Sequence, residues 1–261
     1  MHLDQALAFR RWRGHISQMK TDISWNFLGL FAAFIAAGAA LVFLPTGAGV
    51  ATFAFVLLGW IVSVCLHEYA HAATASAFGD VSIIDRGYLT LDPVKYMNST
   101  GSLVLPVIAL ALGGIALPGA AVTIRPDLIR HRWQQSLVSL AGPAMTAILA
   151  VVVYLAAQGA ADPLLQDALM LLAFFELMAC VLNLLPVPGL DGFGVIEPFL
   201  PRAVRQFLSG KRLAVLNLIL LALVFFLGYR IIMPIMGLVI SPFDIDLTPV
   251  GRAFDRFHFW R

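Results

Sequence analysis

Five consecutive residues have the types and spacing of a metal site: His67-Glu68-Tyr69-Ala70-His71. The apolar run 51–66 leads directly into them, which predicts that they lie on a helix. Because helix positions four residues apart share a face, both imidazoles can bind one metal ion, with Glu68 beside it as a proton acceptor. Ionisable side chains in so apolar a helix are costly, and we expect a bound zinc ion with a catalytic water to offset that cost.

The composition is that of a membrane protein. Of the 261 residues, 60% are hydrophobic and 12% are charged, and the mean hydropathy is +0.88. Soluble domains contain about 25% charged residues, so we expect a polytopic protein in a lipid bilayer. A net charge of +2 without a basic stripe argues against a nucleic-acid partner. Cys65 and Cys180 lie in apolar segments and predict neither a disulfide framework nor a cysteine zinc site.

The apolar segments predict an all-α transmembrane bundle of about six spans. The first, 25–44, follows a basic segment, so residues 1–24 are expected to be cytosolic by the positive-inside rule. The later segments are 51–78, 102–117, 136–157, 164–185 and 213–240. The last of these is long enough for one tilted helix or for two short helices that meet near Gly228.

Two shorter elements are expected beside the metal site. Alternating apolar positions over 81–91 predict a short β-hairpin. Segment 102–117 is short and interrupted by Pro106 and two glycines. The arginines that follow it, at 125, 130 and 132, should be cytosolic, so we expect a membrane-embedded loop rather than a full crossing.

The depth of the site follows from the length of the second span. The Pro45-Thr46-Gly47 turn reverses the chain, so the helix that begins near residue 51 should run toward the cytosol. About 20 residues at 1.5 Å each cover the roughly 30 Å hydrocarbon core, and that count ends near His71. We therefore expect a multi-pass protein of the inner (cytoplasmic) cell membrane, with its site close to the cytosolic face.

Two histidines need a third protein ligand, because catalytic zinc sites use three and leave one position for water. Asp191 is the leading candidate, since it follows an inward-running helix in the segment NLLPVPGLDG, residues 183–192. The prolines end that helix, and bent backbone at membrane depth is tolerated only where it lines a protein or water cavity. Glu176, within the same apolar helix, is a rival ligand.

These motifs resemble those of the site-2 protease family of intramembrane zinc metalloproteases. The resemblance rests on HEYAH and NLLPVPGLDG, in that order on separate apolar helices, and extends to YLTLDP at 88–93 and to Ala141-Gly142-Pro143. It covers about residues 50–205. Thr146 stands where the family usually has an asparagine. The chain looks like the minimal form of the family, without PDZ or CBS regions.

The resemblance implies the chemistry and its residues. One zinc ion would be bound by His67, His71 and Asp191, with Glu68 as general acid and base, and Asn183 would help to hold the substrate strand. The activity would be cleavage of peptide bonds within transmembrane segments of membrane-protein substrates, as in regulated intramembrane proteolysis. Residues 1–261 would form a single transmembrane protease domain, in which the catalytic core spans 50–205 and the C-terminal helices and tail span 206–261.

Two other functions remain open from the sequence. One is a non-enzymatic zinc transporter or sensor, which would need ligands at several depths along a path. The other is a membrane zinc protease of the prenyl-protein processing type, which takes a glutamate as third ligand. In that case Glu176 would replace Asp191.

Overall fold

Four long apolar helices dominate this computed structural model, which describes residues 23–96, 122–208 and 230–260. Their lengths and composition are those of membrane-crossing helices, so the chain is a multi-pass membrane protein. The described residues contain helices and turns and no strand. The helices are α1 (Trp25–Phe43), α2 (Ala48–Ala77), α3 (Ser82–Asp85), α4 (Pro93–Tyr96), α5 (Arg132–Gly159), α6 (Pro163–Asn183), α7 (Asp191–Ile196), α8 (Arg202–Leu208), α9 (Arg230–Phe243) and α10 (Thr248–Phe257).

Helix ends follow ordinary capping chemistry. The Ser24 hydroxyl accepts a hydrogen bond from the Phe27 amide and begins α1. Asp162 caps α6 in the same way, and Pro163 occupies the first helical position, where its missing N–H is not needed. At the end of α2, Gly79 has φ +111° and donates to Ser76, while the next amide, Asp80, donates to Ala75. This paired arrangement is a Schellman motif, and it fixes the direction in which the chain leaves α2.

The α6 helix lies at the centre of the bundle and α1 at its periphery. In α6 61% of the most apolar stretch is buried, against 17% in α1. Large side chains such as Trp60, Leu171 and Phe175 fill the core between α2 and α6. Exposed aromatic and aliphatic side chains on α1 and α5 therefore face the surroundings of the bundle, which in a membrane are lipid.

The C-terminal helix α10 packs at the end of the bundle where α2 begins. Phe257 is fully buried, and its ring centroid lies 5.0 Å from that of Phe53. The backbone of Gly49 approaches Phe259 so closely that no side chain would fit at that glycine. His67 lies 18 residues further along α2, about 27 Å at 1.5 Å per residue. The bundle thus has an α10 end, with α10 and the 44–47 turn, and a site end, with the two histidines.

The predicted spans and loops have different outcomes. The predictions at 25–44, 51–78, 136–157 and 164–185 are confirmed as helices, with bounds shifted by a few residues. The total of about six spans is not established, since four such helices occur among the described residues. The proposed membrane-embedded loop at 102–117, and the break near Gly228, lie outside the described residues.

The predicted β-hairpin over 81–91 is wrong. Residues Ser82–Asp85 form a helical turn, and a series of turns follows it through Gly87, which has φ +67°. The cause is local, because the Asp80 carboxylate accepts hydrogen bonds from both the amide and the hydroxyl of Ser82 and curls the chain there. Ile83, Tyr88 and Leu89 of this segment are buried in a second small core rather than along a strand face, whereas Val81 is exposed.

Candidate metal centre

The α2 helix places two imidazoles side by side in the protein interior. His67 and His71 are each less than 9% exposed, and their Nε2 atoms lie 3.1 Å apart. They are one helical turn apart, which is the spacing that brings side chains on one face together. Glu68 lies between them in sequence and is 5% exposed, so the three ionisable side chains of this turn are all buried.

A carboxylate from a different element meets the two imidazoles. After α6 ends at Asn183, the chain turns through Gly189, which has φ +96°, and α7 begins at Asp191. Asp191 Oδ2 lies 3.1 Å from Nε2 of His67, and its Oδ1 lies 3.3 Å from Nε2 of His71. Burial by itself would raise the pKa of Asp191, but hydrogen bonds and charge from both histidines outweigh it and hold that pKa below its usual range.

Close backbone packing brings α7 to this position. The Ser136 hydroxyl of α5 donates to the Val195 carbonyl at 2.6 Å and ties α7 to α5. A Cβ at Gly192 would collide with the carbonyl of Leu184, so the turn between α6 and α7 can close only over a glycine. The small residues of this segment therefore determine where Asp191 lies.

The three side chains form a set that could hold one metal ion. Zinc binds nitrogen and oxygen ligands at about 2.0–2.1 Å, so ligand atoms around a tetrahedral ion lie roughly 3.3 Å apart. The 3.1 Å spacing of the two Nε2 atoms, and their distances of 3.1 and 3.3 Å to the carboxylate, match that requirement. Two neutral imidazoles and one carboxylate are also the donor chemistry that zinc accepts, with a fourth position left for water.

The far side of each imidazole is engaged by α5. His67 Nδ1 lies 2.9 Å from the hydroxyl of Thr146, and His71 Nδ1 lies 2.6 Å from the carbonyl of Val138. A carbonyl can only accept, so Nδ1 of His71 carries a proton, and in the neutral imidazole the Nε2 lone pair is left for a metal ion. The Thr146 hydroxyl also lies within 3.3 Å of the Gly142 carbonyl, which leaves its oxygen to accept from His67. Such contacts orient a histidine and set its tautomer for metal binding.

Gly142 is the point where α5 crosses closest to the histidines. A Cβ built there would overlap Nε2 of both His67 and His71. The space that a side chain would fill at this position is thus the space beside the candidate ligand atoms. Pro143 follows Gly142, and α5 continues through this proline without ending.

Glu68 is held by a backbone amide from outside the long helices. Its Oε2 accepts a hydrogen bond from the Val122 amide at 2.8 Å. Among the described residues, no hydrogen-bond donor reaches its other oxygen, Oε1. One oxygen is therefore fixed, and the other has no donor within the described part of the chain.

Comparison with known proteins identifies the family of the chain. The family model described as peptidase family M50 matches residues 53–165. "Putative zinc metalloprotease Rip2" of Mycobacterium tuberculosis is 42% identical over an alignment of 219 residues that covers 78% of this chain and 81% of that protein. The chain belongs to peptidase family M50, the site-2 protease family. It is a zinc metalloprotease of the membrane.

Two further comparisons complete this result. "Putative zinc metalloprotease Rip2" of Mycolicibacterium smegmatis is 42% identical over 74% of this chain and 77% of its own length. "Putative zinc metalloprotease YwhC" of Bacillus subtilis is 33% identical over 58% of this chain and 71% of its own length. No solved structure matches the chain significantly. The M50 model ends at residue 165, so the position of Asp191 rests on the geometry given above.

Two other candidate residues of this M50 protease lie apart from the metal set. The rival ligand Glu176 accepts from the Ser63 hydroxyl and does not join the three clustered ligands. Asn183, the last residue of α6, is 7% exposed, and its side chain has no hydrogen-bond partner among the described residues.

The contacts of Thr146, Val138 and Val122 were not predicted from the sequence. Two of the three use backbone atoms, which every residue type supplies, so their identity carries no signal. Thr146 did carry a signal in the sequence, because it stands at the position where the family usually has an asparagine, which is also polar. A polar residue one helical turn after Gly-Pro could have been read as a partner for one of the histidines.

Proposed function

We propose that this M50 protease cleaves peptide bonds within transmembrane segments of membrane-protein substrates, as in regulated intramembrane proteolysis. One observation carries the proposal: the buried His67 and His71 and the partly exposed Asp191 converge from two separate helices in a set that could hold a metal ion, with the buried Glu68 alongside. A soluble substrate would not require its protease to bury this chemistry among apolar helices.

Each residue has a defined part in the proposed reaction. His67, His71 and Asp191 hold one zinc ion. Bound zinc supplies Lewis acidity for the scissile carbonyl and lowers the pKa of water toward about 7. Glu68 Oε1 accepts the proton of the attacking water and later delivers it to the leaving amine. The side-chain amide of Asn183 helps to hold the backbone of the substrate strand.

The substrate must present an unwound peptide to this site. A transmembrane helix satisfies its own amides internally, so a peptide bond becomes available only after local opening. Residues with poor helix propensity near the cleavage point would lower the cost of that opening by about 1 kcal/mol for a glycine. We therefore expect the preferred substrates to contain such residues at the depth of the zinc.

The cytosolic side of the membrane is the proposed route of access for water. The segment 122–132 carries Arg125, Arg130 and Arg132, and the amide of Arg125 donates to Asp80 at the site end. Positively charged connections favour the cytosolic side. A zinc transporter would need further ligand groups at other depths, and the described residues contain one such group.

Glu68→Gln is the decisive variant. The purified full-length protein in detergent, with a panel of single-span substrates, should cleave at least one of them. Glu68→Gln should bind zinc as wild type does and lose at least about 100-fold in rate, which is the usual contribution of a general base. Glu197→Gln makes the same chemical change at an exposed glutamate and should cleave normally. If Glu68→Gln cleaves at the wild-type rate, the assigned base is wrong.

Asp191→Ala tests the ligand set separately. It should lower the zinc content of the purified protein together with its activity, because two imidazoles alone hold zinc weakly. Full zinc content in Asp191→Ala would mean that this carboxylate only shapes the turn. A wild-type protein that cuts soluble peptides but none of the membrane-spanning substrates would contradict the proposed substrate class.

A further inference from the structure

We propose that Asp80 is a positioning residue for the catalytic base, acting through the backbone of residues 122–125. This inference rests on the proposed role of Glu68. Asp80 is fully buried, yet it lies outside the metal set and at the other end of the same short stretch of backbone that touches Glu68.

Asp80 gathers three hydrogen bonds with its two oxygens. Oδ1 accepts from the amide of Ser82 at 3.1 Å and from its hydroxyl at 2.6 Å. Oδ2 accepts from the amide of Arg125 at 2.7 Å. The Schellman motif at Gly79 directs this side chain away from the axis of α2 and toward residues 122–125. A buried carboxylate is tolerated only when it is satisfied in this way.

Residues 122–125 form a stretch without helix or turn, which ends in extended backbone at Arg125 and is held at three of its four residues. The Val122 amide donates to Glu68, the Thr123 carbonyl accepts from Arg86 at 3.0 Å, and the Arg125 amide donates to Asp80. Val122 itself is buried in the small core that also contains Ile83. An extended chain rises about 3.3 Å per residue, so this stretch spans roughly 10 Å between the two carboxylates.

These contacts of residues 122–125 orient the Glu68 side chain. This side chain has three rotatable bonds. The hydrogen bond from the Val122 amide to Oε2 restricts rotation about them, and no donor among the described residues reaches Oε1. The position of that amide depends on where residues 122–125 lie, and Asp80 fixes their far end. The Asp80 carboxylate thus sets the geometry of the base without touching substrate or metal.

A purely structural role predicts a different behaviour. If Asp80 only ended α2, its work would be done by the hydrogen bonds to Ser82, which an asparagine oxygen can still accept. The asparagine nitrogen carries hydrogens and cannot accept, so in the orientation that keeps both Ser82 hydrogen bonds it would face the Arg125 amide, donor to donor. Asp80→Asn therefore breaks the link to residues 122–125 while it keeps the end of α2.

The experiment measures kcat, KM and zinc content for full-length protein in detergent with a cleavable single-span substrate. Asp80→Asn should lower kcat by about 10–100-fold, as is typical when a supporting partner of a site residue is lost. Zinc content and KM should stay within about twofold of wild type, because neither ligands nor substrate contacts change. Asp127→Asn, which removes an exposed carboxylate from the same loop, should leave all three values unchanged.

A double-mutant cycle identifies the route through the backbone. Val122→Pro removes the amide that contacts Glu68, whereas Val122→Ala keeps it, so the proline variant should be at least about tenfold slower than the alanine variant. Because both changes cut one chain of contacts, adding Asp80→Asn to Val122→Pro should lower kcat little further.

Other results would overturn the inference. The first is a kcat of the double variant that falls by the product of the two single losses. The second is a loss of zinc in Asp80→Asn. The third is a kcat of Asp80→Asn equal to that of Asp127→Asn. A rise in kcat would show that residues 122–125 block the base instead of orienting it. A wild-type protein without cleavage refutes the proposed function, whereas cleavage that depends on Glu68 but not on Asp80 refutes this inference alone.

Discussion

At the scale of single residues, the chemistry of the site depends on what lies behind and beside the two imidazoles. Thr146 and the Val138 carbonyl engage the Nδ1 atoms, so both Nε2 atoms face Asp191. Gly142 contributes by having no side chain, because any Cβ would overlap those same Nε2 atoms. The sequence did not predict these contacts with the histidines. In a helix of mixed small and apolar residues, the sequence does not indicate which residues contact a neighbouring helix.

Thr146→Val should weaken zinc binding by about 10–100-fold, because it removes the oxygen that accepts from His67 while keeping the size of the side chain. Thr146→Ser keeps the hydroxyl and should bind zinc within about threefold of wild type. Competition with a chelator of known affinity measures both. Equal zinc affinity in the valine and serine variants would show that the hydroxyl does not orient His67.

Gly142→Ala should abolish the metal site by filling it. The added methyl forces α5 away from α2, at a cost of about 1–3 kcal/mol in stability, and separates the histidines from their partners on α5. Zinc per protein, measured on the purified variant, should fall at least about tenfold. Gly159→Ala is the matched control on the same helix, since nothing lies within 4 Å of its added Cβ. Normal zinc content in Gly142→Ala would show that α5 can yield without disturbing the site.

At the scale of elements, the long helices could be predicted and the connections could not. The spans are apolar over enough residues that only a helix satisfies their backbone in a membrane. Residues 81–91 alternate in the same way as a strand, but the side chain of Asp80 captures Ser82 and makes a helical turn. Whether a polar side chain bonds its own backbone or a distant partner depends on tertiary contacts, so this segment was predicted wrongly and Asp80 was not singled out.

One buried carboxylate holds two arginines of α10 against α6. Asp167 of α6 has a side chain 1% exposed, and it accepts two hydrogen bonds from Arg252 and one from Arg256. The arginines are 47% and 30% exposed, so water weakens these pairs relative to fully buried ones. Val250 and Phe257 add apolar contact on the other face of α10.

Asp167→Asn should therefore release α10 and destabilise the protein by about 1–3 kcal/mol, below the range for a fully buried pair. Thermal unfolding in detergent measures the loss. Faster cleavage by trypsin after the two arginines would show that α10 has detached. Asp255→Asn removes the same charge from an exposed position on α10 and should change neither measurement. Unchanged trypsin cleavage in Asp167→Asn would assign the attachment to the apolar contacts.

At the scale of the whole molecule, the bundle has chemically different ends. The site end carries Arg125, Arg130 and Arg132. At the α10 end, the connections 44–47 and 160–162 contain no lysine or arginine, and the two arginines of α10 are paired with Asp167. The sequence allowed either one or two helices after residue 213 and so left the location of the C-terminal tail open. Contacts of α10 with the beginnings of α2 and α6 place that tail at the end away from the metal set.

The charge difference predicts that the site end faces the cytosol and the α10 end faces outward. In intact cells that express the protein, a membrane-impermeant maleimide should label Asp255→Cys, on α10, and should label Asp85→Cys, beside the site, only after lysis. Both positions are exposed, and the native Cys65 and Cys180 are buried, so the unsubstituted protein gives the background. Labelling of Asp85→Cys from outside, with Asp255→Cys protected, would reverse the orientation and move the water route to the outer face. Labelling of both from outside would contradict the placement of the two ends on opposite sides of the membrane.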